Sequence, residues 1–151
     1  MKTGFTLIEM LMVIGLLALA VGIVLAPFVS FRSQQALSGG AGELVALITS
    51  ARVKTLASEG DTVYGVHFEA SRATLFAGST YVAGAASNQV LELNSLLTLS
   101  TISLNGGGVD MIFNRLTGKT SQSGTLTATL SSDVAQAKTV TVSATGVITV
   151  D

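Results

Sequence analysis

The sequence predicts an α+β fold, in which a long N-terminal α-helix packs on a C-terminal, mainly antiparallel β domain. Two observations carry this prediction. From the start of the chain to about residue 57 the apolar residues form first a continuous run and then a helical repeat, whereas beyond Gly60 apolar and polar residues alternate. A period near 3.6 residues indicates a helix and a period of two indicates a strand. A chain of 151 residues has room for one membrane helix and one small domain.

The N-terminal run predicts that the first half of the helix crosses a membrane. Residues 10–26 contain no charged and no polar side chain, and about 20 apolar residues suffice to span a bilayer. Glu9 lies at the start of this run. A carboxylate near the middle of a membrane helix costs roughly 2.5 to 3.5 kcal/mol, so such a residue usually has a partner and a function. Glu9 therefore predicts a cationic partner.

The segment Gly4-Phe5-Thr6-Leu7-Ile8-Glu9, after the basic start Met1-Lys2-Thr3, resembles the N-terminus of type IV pilins and type II secretion pseudopilins. The resemblance implies a pilin-like fold and a leader, residues 1–4, that a prepilin peptidase removes between Gly4 and Phe5. It further implies that Phe5 is N-methylated. Glu9 of an incoming subunit would pair with the Phe5 amine of a neighbour and set the register of a growing filament.

Three other interpretations of this N-terminus remain open. A secretory signal peptide has a shorter, acid-free core and a small-residue cleavage site, which Ala18-Leu19-Ala20 offers only deep inside the run. An ordinary single-pass anchor fits the length but explains neither the Gly4–Phe5 junction nor Glu9. A buried core helix fits less well, because the run is apolar on every face.

Two helix-breaking residues lie near the end of the apolar run. Pro27 removes a backbone donor and clashes with the preceding turn, so with Gly22 it predicts a kink. Filament-forming pilins have a similar pair of helix-breaking residues, a glycine and a proline. Counted from Phe5, Pro27 falls one residue later than the usual position in that family. We expect residues 5–30 to form the transmembrane and assembly half of the helix, and residues 31–58 its amphipathic half. The glycine-rich residues 38–42 form either a joint or a close-packing surface, and glycine's backbone freedom favours a joint.

Residues 60–151 are predicted to form the β-rich domain. Alternating segments bounded by turn residues indicate eight strands. They are residues 62–69, 72–77, 89–94, 98–105, 109–114, 124–131, 139–143 and 147–150. Residues 132–138 are interpreted as a connecting loop.

Within this family the domain resembles the pseudopilin H and FimT branch. The matching segments are residues 50–57, residues 113–118, and residues 140–150 with Gly146 in the turn. Members of that branch commonly follow this glycine with arginine, whereas Val147 stands here. The departure weakens any ligand contact inherited at the C-terminal hairpin.

The sequence contains few residues of the kinds that catalytic and metal-binding sites use. There is no cysteine, the formal net charge is −1, and charged residues make up 11%. His67 is the single histidine and is interpreted as a structural residue of a strand. The acidic residues are too scattered for a calcium loop. We therefore expect no enzyme activity, no cofactor and no metal.

The leading hypothesis is a structural subunit, a minor pseudopilin of a type II secretion pseudopilus or a minor pilin of a type IV pilus. Its expected partners are other pilin or pseudopilin subunits, the prepilin peptidase and the inner-membrane assembly platform. The chain is expected to cross the bacterial inner membrane once, with its C-terminal domain outside the cytoplasm, and then to enter a periplasmic or extracellular filament. The alternatives are a major pilin and a DNA-binding tip pilin. Nucleic acid is the less expected partner, because Arg115, Lys119 and Lys138 alone supply positive charge in the C-terminal third.

Overall fold

A computed structural model describes the backbone of residues 4–151 and the side chains of residues 4–23 and 31–151. One helix, α1, spans Leu7–Leu56, and a short 3₁₀ turn follows at Glu59–Asp61. The strands are β1 Tyr64–Phe68, β2 Arg72–Ala77, β3 Gln89–Glu92, β4 Leu97–Leu104, β5 Asp110–Ile112, β6 Gly124–Leu130, β7 Asp133–Val142 and β8 Ile148–Val150. The chain divides into two compact units, one ending at Gln35 and the other comprising Ala36–Asp151.

The strands of the second unit form two four-stranded sheets. Sheet A has the order β3-β2-β1-β5, and sheet B has the order β4-β6-β7-β8. All of the pairings in both sheets are antiparallel. The predicted α+β class with an antiparallel β domain is therefore confirmed.

The part of α1 within the second unit contributes one apolar stripe to the core. Its buried residues follow the alternating spacing of four and three that places side chains on one helix face. They are Leu37, Ala41, Leu44, Ile48 and Ala51. The same cluster contains the inward-facing residues of both sheets, such as Val66, Leu75 and Leu126. This buried face lies within residues 31–58, for which the sequence predicts an amphipathic helix.

The expected joint at residues 38–42 is wrong, because α1 continues without interruption through these residues. Gly40 instead lies where a Cβ atom would collide with Cδ1 of Leu97, the first residue of β4. The absence of a side chain at Gly40 lets helix and strand approach closely, and Ala41 beside it is 1% exposed. Close packing, the less favoured alternative, is what Gly40 provides, whereas a Cβ atom added at Gly39 or Gly42 would have no such neighbour within 4 Å.

All eight predicted strands are present, and seven of them have both boundaries within two residues of the prediction, but the loop expected at residues 132–138 is wrong. Residues 133–138 belong to β7, which pairs with β6 through a register shift between Thr129 and Leu130. Asp133 accepts a bond from the backbone N–H of Ala135, which is typical of a turn. The local sequence favours a turn, whereas the neighbouring strand β6 supplies backbone partners that extend β7.

Candidate functional site

The N-terminal segment that the sequence singles out forms the beginning of α1. Thr6 caps the helix: its Oγ1 accepts a bond from the backbone N–H of Glu9 at 3.3 Å, and its carbonyl accepts one from Met10 at 3.3 Å. Threonine followed three residues later by glutamate is a helix-start signal that the sequence interpretation overlooked. Glu9 thereby lies in the first turn, where a carboxylate interacts favourably with the positive end of the helix dipole.

The first turns of α1 present apolar side chains on all faces. Phe5 is 77% exposed and Leu7 79%, and every large apolar residue from there to Ile23 is exposed as well. Within residues 4–23 and 31–151, no basic side chain forms an ion pair with the Glu9 carboxylate. The segment therefore combines a large unburied apolar surface with one carboxylate.

The other predicted residues of this segment lie in open positions. A Cβ atom added at Gly4 or at Gly22 would meet no atom within 4 Å. Pro27 lies within the helical range of α1, but its side chain is outside the described residues, and the kink at Gly22 and Pro27 stays a prediction. In the part of the chain whose side chains are described, residues 4–23 and 31–151, no helix is long and apolar enough to cross a membrane.

His67 lies at the centre of a charged cluster on sheet A, which the sequence interpretation missed. Its Nδ1 is 2.5 Å from Oδ1 of Asp110, its Nε2 is 3.4 Å from Oε1 of Glu69, and its ring stacks on that of Tyr81 with centroids 3.9 Å apart. Arg72 forms two bonds with Glu69 and holds the pKa of that carboxyl below its ordinary value. Alternation along β1 could have predicted that the His67 side chain lies on the face opposite those of Val66 and Phe68. The pairing with Asp110 could not be predicted in this way, because it depends on β5 lying next to β1.

Basic side chains near the C-terminal end of α1 are already paired. Arg115 binds Oδ1 of Asp61 at 2.6 Å, and Lys54 binds Oε1 of Glu59 at 2.6 Å, which raises the pKa of the lysine.

Among the described residues there is no group of three or more acidic or histidine side chains that could hold a metal ion. The expected absence of a metal site therefore stays a prediction.

The backbone of this chain is similar to that of the type IV minor pilin FimU of Pseudomonas aeruginosa. One crystal form matches with a TM-score of 0.60 and 14% identity over 80% of this chain and 92% of FimU. A second crystal form matches with a TM-score of 0.56 and 14% identity, over 76% and 92% of the two chains. The fold is pilin-like.

This structural similarity agrees with the pilin-like architecture that the N-terminal motif implied. The match covers most of both chains. No protein-family model matches this sequence, and no curated protein is similar to it in sequence. At this level of identity the structural likeness shows the fold alone.

Proposed function

We propose that this chain is a structural, non-enzymatic subunit of a type IV pilus or of a type II secretion pseudopilus, a minor pilin or minor pseudopilin that assembles through its N-terminal helix. The observation that supports this most strongly is the apolar surface of residues 5–23, exposed on every face and carrying the single acid Glu9. A pilin-like fold with such a helix is suited to insertion among the helices of sibling subunits.

The energetics of this surface favour a non-aqueous environment. Burial of one leucine or isoleucine side chain is worth about 1.5 to 3 kcal/mol, so the exposed residues from Leu7 to Ile23 together favour transfer out of water by a large margin. At 1.5 Å per residue, the helix over residues 7–26 is about 30 Å long, close to the hydrocarbon thickness of a bilayer. We propose that the inner membrane holds the helix first and the filament core afterwards.

The proposed assembly contact is an ion pair between Glu9 and the Phe5 amine of a neighbouring subunit. Cleavage after Gly4 by a prepilin peptidase would create that amine, and N-methylation would retain its charge. In an apolar core a lone carboxylate is costly, and a cation at the right depth removes the cost. Only one axial offset between subunits brings the two groups together, so the pair would set the filament register.

The role of Glu9 is tested by Glu9→Val, with Glu43→Val as the matched control. Glu43 is an exposed carboxylate of the same helix, outside the apolar segment. We expect Glu9→Val to remain cleaved and membrane-inserted but to decrease in sheared filaments by about a hundredfold, since breaking a buried pair costs about 3 kcal/mol or more. Glu43→Val should assemble normally. Normal incorporation of Glu9→Val would refute the pairing.

The processing step has its own test in Gly4→Glu, with Gly4→Ala as the control. We expect the bulky, charged side chain before the cut to block the peptidase, whereas the small alanine should permit cleavage. Intact mass and N-terminal sequencing of the membrane-extracted protein would measure both. A Gly4→Glu chain that begins at methylated Phe5 would remove the argument for this protease.

The charge distribution does not favour DNA capture as an alternative function. A nucleic-acid surface needs several free basic groups that contact phosphates. Arg115 is bound to Asp61 and Lys54 to Glu59, so both are partly neutralised within the domain. Val147 also stands where the resembling branch commonly has arginine. These features support a subunit whose partners are other pilins.

A further inference from the structure

A segment between strands β2 and β3 covers the outer face of sheet A, the face opposite the core. We call this segment, residues 79–88, the strap. Val66 and Leu75 belong to the core cluster, so His67 and Phe76, which alternate with them, point to the outer face. Tyr81 of the strap stacks on His67 with an interplanar angle of 7° and meets the edge of the Phe76 ring at 5.6 Å.

Phe76 depends on this cover for its burial. It is 1% exposed, yet it lies outside the main core cluster. Its ring extends across Gly65 on β1, where an added Cβ would lie 2.7 Å from Cζ of Phe76. The outer face of sheet A therefore has a small aromatic cluster of its own, made of His67, Phe76 and Tyr81.

The two nitrogens of His67 both face carboxylate oxygens, Nδ1 that of Asp110 and Nε2 that of Glu69. A neutral imidazole has one N–H donor, so one of its nitrogens would turn a lone pair towards a carboxylate. The imidazolium donates from both nitrogens. The geometry at His67 thus suits the protonated ring, whose side chain is 16% exposed.

The groups around His67 come from several parts of the β domain. Asp110 lies on the edge strand β5, Glu69 in the β1–β2 turn, and Tyr81 on the strap. Arg72 on β2 balances the charge of Glu69 and also interacts with Glu92 on β3. With His67 protonated, it and Arg72 offset two of the three carboxylates, Asp110, Glu69 and Glu92. With His67 neutral, Arg72 alone opposes them, so the negative charge of the cluster increases by one.

We propose that His67 is a proton-operated latch: the imidazolium holds the strap against sheet A, and loss of the proton releases the strap and uncovers Phe76. The face of the Tyr81 ring attracts a cation more than a neutral ring, so deprotonation weakens the stacking as well as the ion pairs. The closed state therefore needs the imidazolium, and removal of its proton opens the strap. This inference is independent of the N-terminal segment.

Tyrosine fluorescence can report on the latch, because the chain has two tyrosines and no tryptophan. In the full chain carrying Tyr64→Phe, emission comes from Tyr81, and acrylamide, an uncharged quencher, measures its accessibility. We expect the quenching constant to rise about two- to fivefold between about pH 5 and pH 8. Circular dichroism at both pH values would check that the fold is retained.

Two variants in the Tyr64→Phe background separate the latch from general effects of pH. His67→Phe retains a ring for stacking but cannot titrate, so its quenching should not change with pH. His67→Gln should give high quenching at every pH. A flat profile in the parent chain overturns the proposal, whether or not His67 titrates. A rise of the same size in His67→Phe overturns it as well, because the proton would then act elsewhere.

Discussion

Gly65 is a position where one methyl group should measurably destabilise the β domain. Its neighbours on the outer face of sheet A are Phe76 on β2 and Ile112 on β5. A Cβ at Gly65 would lie 2.7 Å from Cζ of Phe76, 2.8 Å from the carbonyl oxygen of Met111 and 3.0 Å from Cγ1 of Ile112. The Phe76 ring can rotate away, but the Met111 carbonyl belongs to the backbone of the neighbouring strand. Gly65→Ala therefore forces strain into the sheet.

The expected magnitude follows from two opposing terms. Overpacking of this kind costs about 1 to 3 kcal/mol. Replacing glycine by alanine restricts the unfolded chain and returns about 0.4 to 1 kcal/mol. The net change in the free energy of unfolding is thus a loss of about 1 to 2 kcal/mol. For a domain the size of residues 36–151 we expect Tm to fall by about 4 to 8 °C.

Thermal unfolding of the full chain in a mild detergent, followed by circular dichroism, measures this change. Gly108→Ala is the matched control, since its Cβ would meet nothing closer than 3.9 Å, and its Tm should hardly change. In a double-mutant cycle, Phe76→Leu should reduce the cost of Gly65→Ala because the ring tip is removed. A Gly65→Ala chain as stable as the Gly108→Ala chain would refute the packing argument.

Two further predictions concern buried and charged groups of the same domain. Thr55 Oγ1 donates a hydrogen bond to the carbonyl of Ala51 and accepts one from the backbone N–H of Tyr64 at 2.9 Å. Thr55→Val removes both bonds, so denaturant titration should show a loss of about 1 to 3 kcal/mol in the free energy of unfolding. Thr55→Ser retains the hydroxyl, and a smaller loss for Thr55→Val than for Thr55→Ser would contradict this prediction. Arg72 lowers the pKa of Glu69, so the stability from this pair is present above the ordinary carboxyl pKa and is lost as the pH falls. In Arg72→Gln, carbon-detected NMR should show Glu69 titrating at higher pH, and an unchanged titration would argue against the pair.

Local patterns predicted several elements well, because their signals come from neighbouring residues. The β1–β2 hairpin was predicted from alternation on either side of the turn at residues 69–72, and strands Tyr64–Phe68 and Arg72–Ala77 agree with it. In contrast, the first half of β7 has turn-like residues and was predicted as a loop, since its pairing with β6 depends on a partner strand.

The structural roles of Gly40 and His67 are decided by residues that are close in space but distant in the sequence. From the sequence alone Gly40 was predicted to lie in a flexible joint, but in the structure it lies against Leu97, where the helix and strand β4 approach closely. His67 reads as an ordinary strand residue, but Asp110 on β5 and Tyr81 on the strap place it between charges and under an aromatic ring. Neither contact leaves a periodic signal in the sequence.

The sequence by itself determined the fold class, the long helix, and the lone carboxylate Glu9 beside the Gly4–Phe5 junction, because hydropathy, periodicity and a contiguous motif are properties of adjacent residues. Tertiary structure alone decided which strands are neighbours, which glycines are packing contacts, and that a histidine, two carboxylates and a tyrosine meet on the outer face of sheet A. The physical reason is that strand order is set by burial and backbone pairing between distant segments, which local patterns do not specify.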